Sequence, residues 1–203
     1  MADNPFARSA TYIKSAVYPK DYPDEDYPEL AVAGRSNVGK SSLINKLVNR
    51  RRLAKVSNTP GRTQLLNFFL VNERFVLCDL PGYGYAKVPD RVKANWGRMI
   101  ETYLSTRGAL GTVMLLVDVR RTPGQWETDL IAWVSQYGLA LLPVVTKIDK
   151  LSPSKRKPAI AKVAGVLGLA PKQVVPWSAV TGEGLESLWR RIDRLTGTSD
   201  VRD

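Results

Sequence analysis

The chain has 203 residues, 44% hydrophobic and 24% charged, with a formal charge of +11 and a pI near 9.9. That size suits one ordinary domain with a real core, and the total absence of histidine excludes a Ser-His-Asp triad, a histidine base and histidine metal ligands. No apolar run reaches the roughly 20 residues of a membrane helix. The opening Met1-Ala2-Asp3-Asn4-Pro5-Phe6 has no apolar signal core, and the single Cys78 lies in an apolar run, so a reducing, cytoplasmic setting is expected.

In chain order, a strand is predicted at 11–17, followed by a connector at 18–28 that carries three prolines and four acidic residues. A strand at 29–33 runs into Gly34-Arg35-Ser36-Asn37-Val38-Gly39-Lys40-Ser41, the pattern G-x-x-x-x-G-K-[ST], and a helix follows over 40–48. Glycines let such a loop curl its amides around phosphates, and the helix adds its positive dipole end. In this reading Gly34 through Ser42 cradle a nucleotide. Lys40 reaches the β- and γ-phosphates, and the Ser41 hydroxyl binds Mg²⁺. Residues 58–63 then form a loop in which Thr59 and Thr63 are the candidate ligands. Strands at 66–71 and 74–80 flank Asn72-Glu73, a tight turn that makes the pair antiparallel.

The second of these strands ends in Asp79-Leu80-Pro81-Gly82, a D-x-x-G pattern. A strand-end carboxylate can hold magnesium, while the Gly82 amide contacts the γ-phosphate and loses that contact on hydrolysis. A helix at 90–106, a strand at 112–118, a helix at 124–137 and a strand at 139–146 come next. That last strand closes on Thr146-Lys147-Ile148-Asp149. The Asp149 carboxylate matches the paired N1–H and N2–H donors of guanine, which adenine lacks. Lys147 can lie over the base plane, and the loop at Ser178, Ala179 and Val180 can offer an amide to guanine O6. A helix at 153–167, a strand at 173–176 and a helix at 185–195 complete the chain before a tail at 197–203 that is expected to be disordered. The expected fold class is therefore α/β in three layers, a mostly parallel sheet with one antiparallel strand and helices on both faces. Ligands in such sheets bind beyond the carboxyl ends of strands, where every polar motif here falls.

The ordered motifs resemble the TRAFAC GTPases. The stretches 34–42, Ser57-Asn58-Thr59-Pro60-Gly61-Arg62-Thr63-Gln64 through Asn67-Phe68-Phe69, and Asp79-Leu80-Pro81-Gly82-Tyr83-Gly84-Tyr85 resemble the EngB (YihA/YsxC) family over nearly the whole chain, about residues 6–195. The resemblance implies the P-loop NTPase, Ras-like G domain over 29–196, with 1–28 joined to it. It implies Thr63 as the switch-I magnesium ligand, with Gly61 and Arg62 beside the nucleotide. Thr146 stands where many GTPases have asparagine, which weakens base contacts without removing guanine preference. Slow GTP hydrolysis, stimulated by a partner, is implied, with Lys40, Thr63 and Gly82 as the catalytic set. The implied role is assembly of the large ribosomal subunit, with an associated effect on cell division and septation.

Ras-like enzymes orient the attacking water with a glutamine after D-x-x-G; here that residue is Tyr83, which has no basic group to take a proton. Asn37 either helps bind K⁺, as in relatives of this family, or shapes its own loop. Arg35 and Arg62 are further candidate phosphate contacts. Cations cluster at 50–55, at Arg91/Lys93/Arg98, at Arg120-Arg121, at Lys155-Arg156-Lys157 and at Arg190-Arg191/Arg194. Together with the resemblance they favour a precursor of the large subunit and its rRNA as partner, with no DNA, no membrane and a monomeric chain expected. The other readings are a nucleotide-gated RNA-binding module in which hydrolysis is incidental, and a membrane-associated division GTPase, against which stands the lack of an amphipathic anchor or lipidation motif. Trp96, Trp126, Trp133 and Trp189 are expected to pack helices on the sheet, and Tyr83 and Tyr85 to face a partner.

Overall fold

The computed structural model describes residues 6–24, 26–50, 65–84 and 90–197, with the backbone alone for 90–94. Seven strands form one sheet in the order β1-β3-β4-β2-β5-β6-β7. They are β1 (Ala10–Ala16), β2 (Glu29–Gly34), β3 (Leu66–Val71), β4 (Phe75–Asp79), β5 (Leu110–Asp118), β6 (Ala140–Thr146) and β7 (Val175–Pro176). β3 runs antiparallel to both of its neighbours, and the other pairings are parallel. The helices are α1 (Lys40–Leu47), α2 (Asp90–Thr106), α3 (Gln125–Gln136), α4 (Pro153–Val166) and α5 (Leu185–Thr196).

Every residue of β2 and β4 is buried, as central strands covered on both faces must be. Successive side chains of β2 serve opposite faces. Ala31 and Ala33 join the cluster built with α2, α3 and α4, whereas Leu30 and Val32 join the one built with α1 and α5. α5 turns Leu188, Trp189 and Ile192 inward and leaves Arg190 and Arg194 outside, the 3.6-residue stripe of a surface helix. Trp96 and Trp189 are buried, and Trp126 and Trp133 pack against the core, as expected. Among the described residues no helix is long and apolar enough to cross a membrane.

The β3–β4 turn has Asn72 and Glu73 both at positive φ (54° and 56°), with the Arg74 amide bonded to the Val71 carbonyl at 3.0 Å. Two such residues in succession match the twist of the flanking strands. Asn72 also fastens the segment before β1. Its side-chain oxygen accepts the Arg8 and Ser9 amides at 2.8 and 3.1 Å, and its amide donates to the Phe6 carbonyl at 2.7 Å.

At the amino end of β2, the buried Glu29 accepts two bonds from Arg107 (3.1 and 2.9 Å) and one from the Tyr103 hydroxyl. Arg107 also donates to the Pro23 carbonyl at 2.8 Å, which ties the connector beneath the sheet. This buried ion pair is fully hydrogen-bonded, the condition under which burial of charge is tolerated. It sits at the end of the sheet opposite the phosphate loop.

Candidate functional site

The phosphate loop begins where β2 ends. A Cβ on Gly34 would lie 2.8 Å from Val38 Cγ1 and 3.1 Å from Leu116 Cβ, so the tight turn requires glycine here. Asn37 and Gly39 take positive φ (65° and 106°), and α1 starts at Lys40. The first bond into the helix runs from the Leu43 amide to the Gly39 carbonyl at 2.9 Å. The amides of Lys40, Ser41 and Ser42 therefore have no intrahelical acceptor, which makes this terminus an anion site. The Lys40 ammonium pairs with the Asp79 carboxylate, each side chain about one-tenth exposed (12% and 9%). The parallel register sets Val32 opposite Asp79, and so brings the two motifs together.

Residues 81–84 close on this loop. The Ser36 amide donates to the Tyr83 carbonyl at 2.7 Å, and the Val38 amide to the Arg35 carbonyl at 3.0 Å. Those two amides are thus engaged within the chain. A Cβ on Gly82 would meet Ser36 Oγ at 3.2 Å, so the close approach depends on the missing side chain. Tyr83, expected to face a partner, does not do so. It is 4% exposed, with its ring against Trp96 and Trp126 (centroids 5.3 and 6.1 Å) and its hydroxyl donating to Glu127 at 2.9 Å. The large apolar ring is better buried between two indoles than hydrated, and the phenol finds an acceptor there. Burial, then the Glu127 charge, raises the Tyr83 pKa far above that of a free phenol. The Trp96 indole holds the same loop by donating to the Pro81 carbonyl at 2.9 Å.

The base loops follow β6 and β7. Thr146 is buried, and its hydroxyl donates to the Val38 carbonyl at 2.7 Å, so it braces the phosphate loop from behind. Lys147, at φ 61°, reaches back to the Asn37 carbonyl at 2.5 Å and to Asp118 Oδ2 at 3.0 Å. Asp118 ends β5 opposite Thr146 and is 3% exposed. It also accepts from Arg120 Nε at 2.9 Å, from Arg120 Nη2 at 2.8 Å and from the Arg120 amide at 3.0 Å. Burial pushes its pKa upward, but the Arg120 bonds and Lys147 outweigh this and hold it well below the usual carboxylate range.

Asp149 Oδ1 accepts from the Ser178 hydroxyl at 2.7 Å, the main cause of its lowered pKa. Ser178 Oγ in turn accepts the Val180 and Thr181 amides, both at 3.2 Å. One serine therefore shapes the last loop and orients the carboxylate. Val180 projects into solvent, while Ala179 is half-buried. Gly184, at φ 91°, leads into α5, and a Cβ there would lie 2.0 Å from the Pro176 carbonyl oxygen.

The fold thus gathers Gly34 to Ser42, Asp79 to Gly82, Thr146, Lys147, Asp149 and Ser178 to Val180 at the carboxyl ends of parallel strands. Gly61, Arg62 and Thr63, like Thr59 and Tyr85, lie outside the described residues. Asp118, Arg120 and Glu127 were not anticipated as site residues. Glu127 had one local signal: it sits three residues after Gly124, whose amide its carboxylate accepts at 2.8 Å at the start of α3. Among the described residues no group of three or more His, Cys, Asp or Glu could hold a metal. Ser41 and Asp79 supply hard oxygen donors, the chemistry that suits Mg²⁺ shared with phosphates and waters.

A strand–loop–helix phosphate cradle braced by loops after β4, β6 and β7 defines a P-loop GTPase domain. A family model described as a 50S ribosome-binding GTPase matches residues 29–147. Proteins described as probable GTP-binding protein EngB from Syntrophotalea carbinolica and Geobacter sulfurreducens are 51% and 49% identical to this chain over 196 and 187 residues, covering 97% and 92% of it and 94% and 91% of their own length. The chain belongs to the EngB family of GTP-binding proteins, and binding of guanine nucleotide with hydrolysis of GTP is its activity. In fold it also matches the crystal structure of a probable GTP-binding protein engB (TM-score 0.70, 21% identity, 84% of this chain and 100% of that one). A point variant of Era from Aquifex aeolicus, crystallised with GDP and aluminium fluoride, matches with a TM-score of 0.64 at 23% identity, over 83% of this chain and 56% of that one.

Proposed function

We propose that this GTPase is a nucleotide switch in assembly of the large ribosomal subunit, with cell division and septation depending on that role. The carrying observation is a guanine-nucleotide site set in a chain of net charge +11, since such a charge favours an RNA-rich partner. The match to a family model described as a 50S ribosome-binding GTPase supports the same reading.

In this reading the loop of residues 34–42 wraps the phosphates, the amides of Lys40, Ser41 and Ser42 and the Lys40 ammonium bond them, and Lys40 stabilises charge on the transferring phosphoryl group. Magnesium, when bound, neutralises phosphate charge; Ser41, Thr63 and Asp79 are the residues that would hold it. Gly82 senses the γ-phosphate beside Gly61, Arg62, Leu80 and Pro81. Asp149 accepts the guanine N1–H and N2–H, Lys147 lies over the base, and residues 178–180 border O6. Tyr83, committed to Glu127, takes no proton from water. The chain has no histidine to do so, and intrinsic hydrolysis is slow until a partner acts. Potassium at Asn37 belongs to the same proposal and is read out by comparing turnover in KCl and NaCl.

The test is sedimentation of the purified protein with large-subunit particles in low salt, with GDP or a non-hydrolysable GTP analogue. Co-migration that depends on the nucleotide and falls as salt rises is the expected result. Protein that stays free with both nucleotides would remove the ribosomal reading while leaving the GTPase intact.

A further inference from the structure

Several cations among the described residues are tied down in the structure. Arg107 is held by Glu29, Arg120 and Lys147 by Asp118, Arg74 by Asp193 and Arg190 by Glu186. Arg191 spends its guanidinium on the Lys172 and Gln173 carbonyls. The segment around α4 differs. From Lys150 to Gly182 there are six Lys and Arg and no Asp or Glu, which is more than half of the net +11. Arg156 turns inward, donating to the Leu151 carbonyl and to Glu183, both at 3.1 Å. Lys155, Lys157 and Lys162 are exposed, and among the described residues none has an acidic partner.

Helical geometry arranges these three. Val163 and Ala164 mark the buried side. Lys155 and Lys162 are seven residues apart, about 10 Å along the axis, and share one flank of the exposed side; Lys157 lies on the other. Pro158, Ala161 and Gly165 run between them, all exposed. The result is a low crest with a cation on each shoulder and no aromatic residue for stacking a base. Such a surface suits the continuous phosphate backbone of structured RNA, which is met by cations and shape and not by base edges.

We propose that the outer face of α4 is an RNA-backbone docking surface, with Lys155, Lys157 and Lys162 as its phosphate contacts. This rests on the ribosomal reading above and names the face through which it operates. Arg156 clamps the same helix to the loops that carry Asp149 and Ser178, so α4 is tied to the nucleotide site.

The test compares wild type with Lys155→Gln/Lys157→Gln/Lys162→Gln and with a control of equal charge loss, Arg74→Gln/Arg98→Gln/Arg190→Gln. Fluorescence anisotropy follows a labelled RNA hairpin between about 50 and 200 mM salt. The α4 variant is expected to lower the slope of log K against log salt by about 2 to 3, at roughly 0.7–0.9 per phosphate contact. It should bind at least tenfold more weakly in low salt and keep wild-type affinity for GDP, while the control changes the slope by less than about one unit. Equal losses in both variants would reduce the effect to net charge and overturn the proposal. An α4 variant that still sediments with large-subunit particles like wild type overturns the proposal alone, whereas a wild type that binds neither RNA nor particles overturns the ribosomal reading as well. Binding to phosphatidylserine vesicles as strong as to the hairpin would reject RNA as the occupant.

Discussion

Replacing Asp118 with asparagine should loosen the grip on guanine nucleotide without touching a residue that reads the base. The carboxylate accepts four bonds, three from Arg120 and one from Lys147 Nζ at 3.0 Å. A carboxamide has one acceptor oxygen, so either flip turns an NH₂ donor toward a cation. Lys147 then loses a bond to a buried charged group, a contribution of about 1.5–3 kcal/mol. At 1.4 kcal/mol per decade, release of GDP should quicken by about ten- to a hundredfold if the whole of that hold serves Lys147. Stopped-flow dissociation of a fluorescent GDP analogue measures this, with urea unfolding to establish that the variant is folded. Lys147→Ala should show a loss of similar size, and the double variant should be no worse than the worse single, because both remove the same link. Unchanged dissociation in a folded Asp118→Asn protein, or losses that multiply in the double variant, would refute the reasoning. The pH dependence has a definite sign. Because the Asp118 pKa is depressed in the folded state, its stabilisation is complete above the ordinary carboxylate range near pH 4 and fades as pH falls below it. The stability gap between wild type and Asp118→Asn should therefore narrow in acid.

Gly184→Ala should destabilise the chain by more than about 3 kcal/mol, from about 1–2 for the left-handed backbone and the rest from displacing the Pro176 carbonyl; a melting temperature within a degree of wild type would contradict this. Tyr83→Phe leaves the buried Glu127 without that donor and should cost about 1–3 kcal/mol in urea unfolding; no loss would show that the hydroxyl bond to Glu127 contributes nothing. Cys78 is fully buried and burial raises its thiol pKa well above normal, so a thiol reagent at neutral pH should label it at the rate of unfolding, and labelling as fast as free cysteine would contradict that burial.

Much of the architecture was legible because each apolar run had a length and a boundary that admit one reading. Asn72-Glu73 between two strand-like runs predicted the hairpin, and the phosphate loop announced itself through Lys40 and Ser41 after a strand. The strand predicted at 173–176 shortened to Val175–Pro176 for a local reason: the Gln173 side chain accepts the Ala170 amide at 2.8 Å, and Pro171–Gln173 winds into a 3-10 turn. Tyr83 was misread because an aromatic ring in a Gly-rich loop looks exposed, and the Glu127 that engages it is 44 residues away. Asp118 was missed for a related reason. A strand-end carboxylate before two arginines reads as hydrated, and only the parallel register, which sets Asp118 opposite Thr146, delivers it to Lys147.

The ion pair between Lys40 and Asp79 gives each of these charges a counter-ion within the chain. Neither charge waits for a visitor, so any incoming ligand has to trade places. An anion that draws Lys40 toward itself releases the carboxylate for a cation, whereas a cation arriving alone must compete with the lysine.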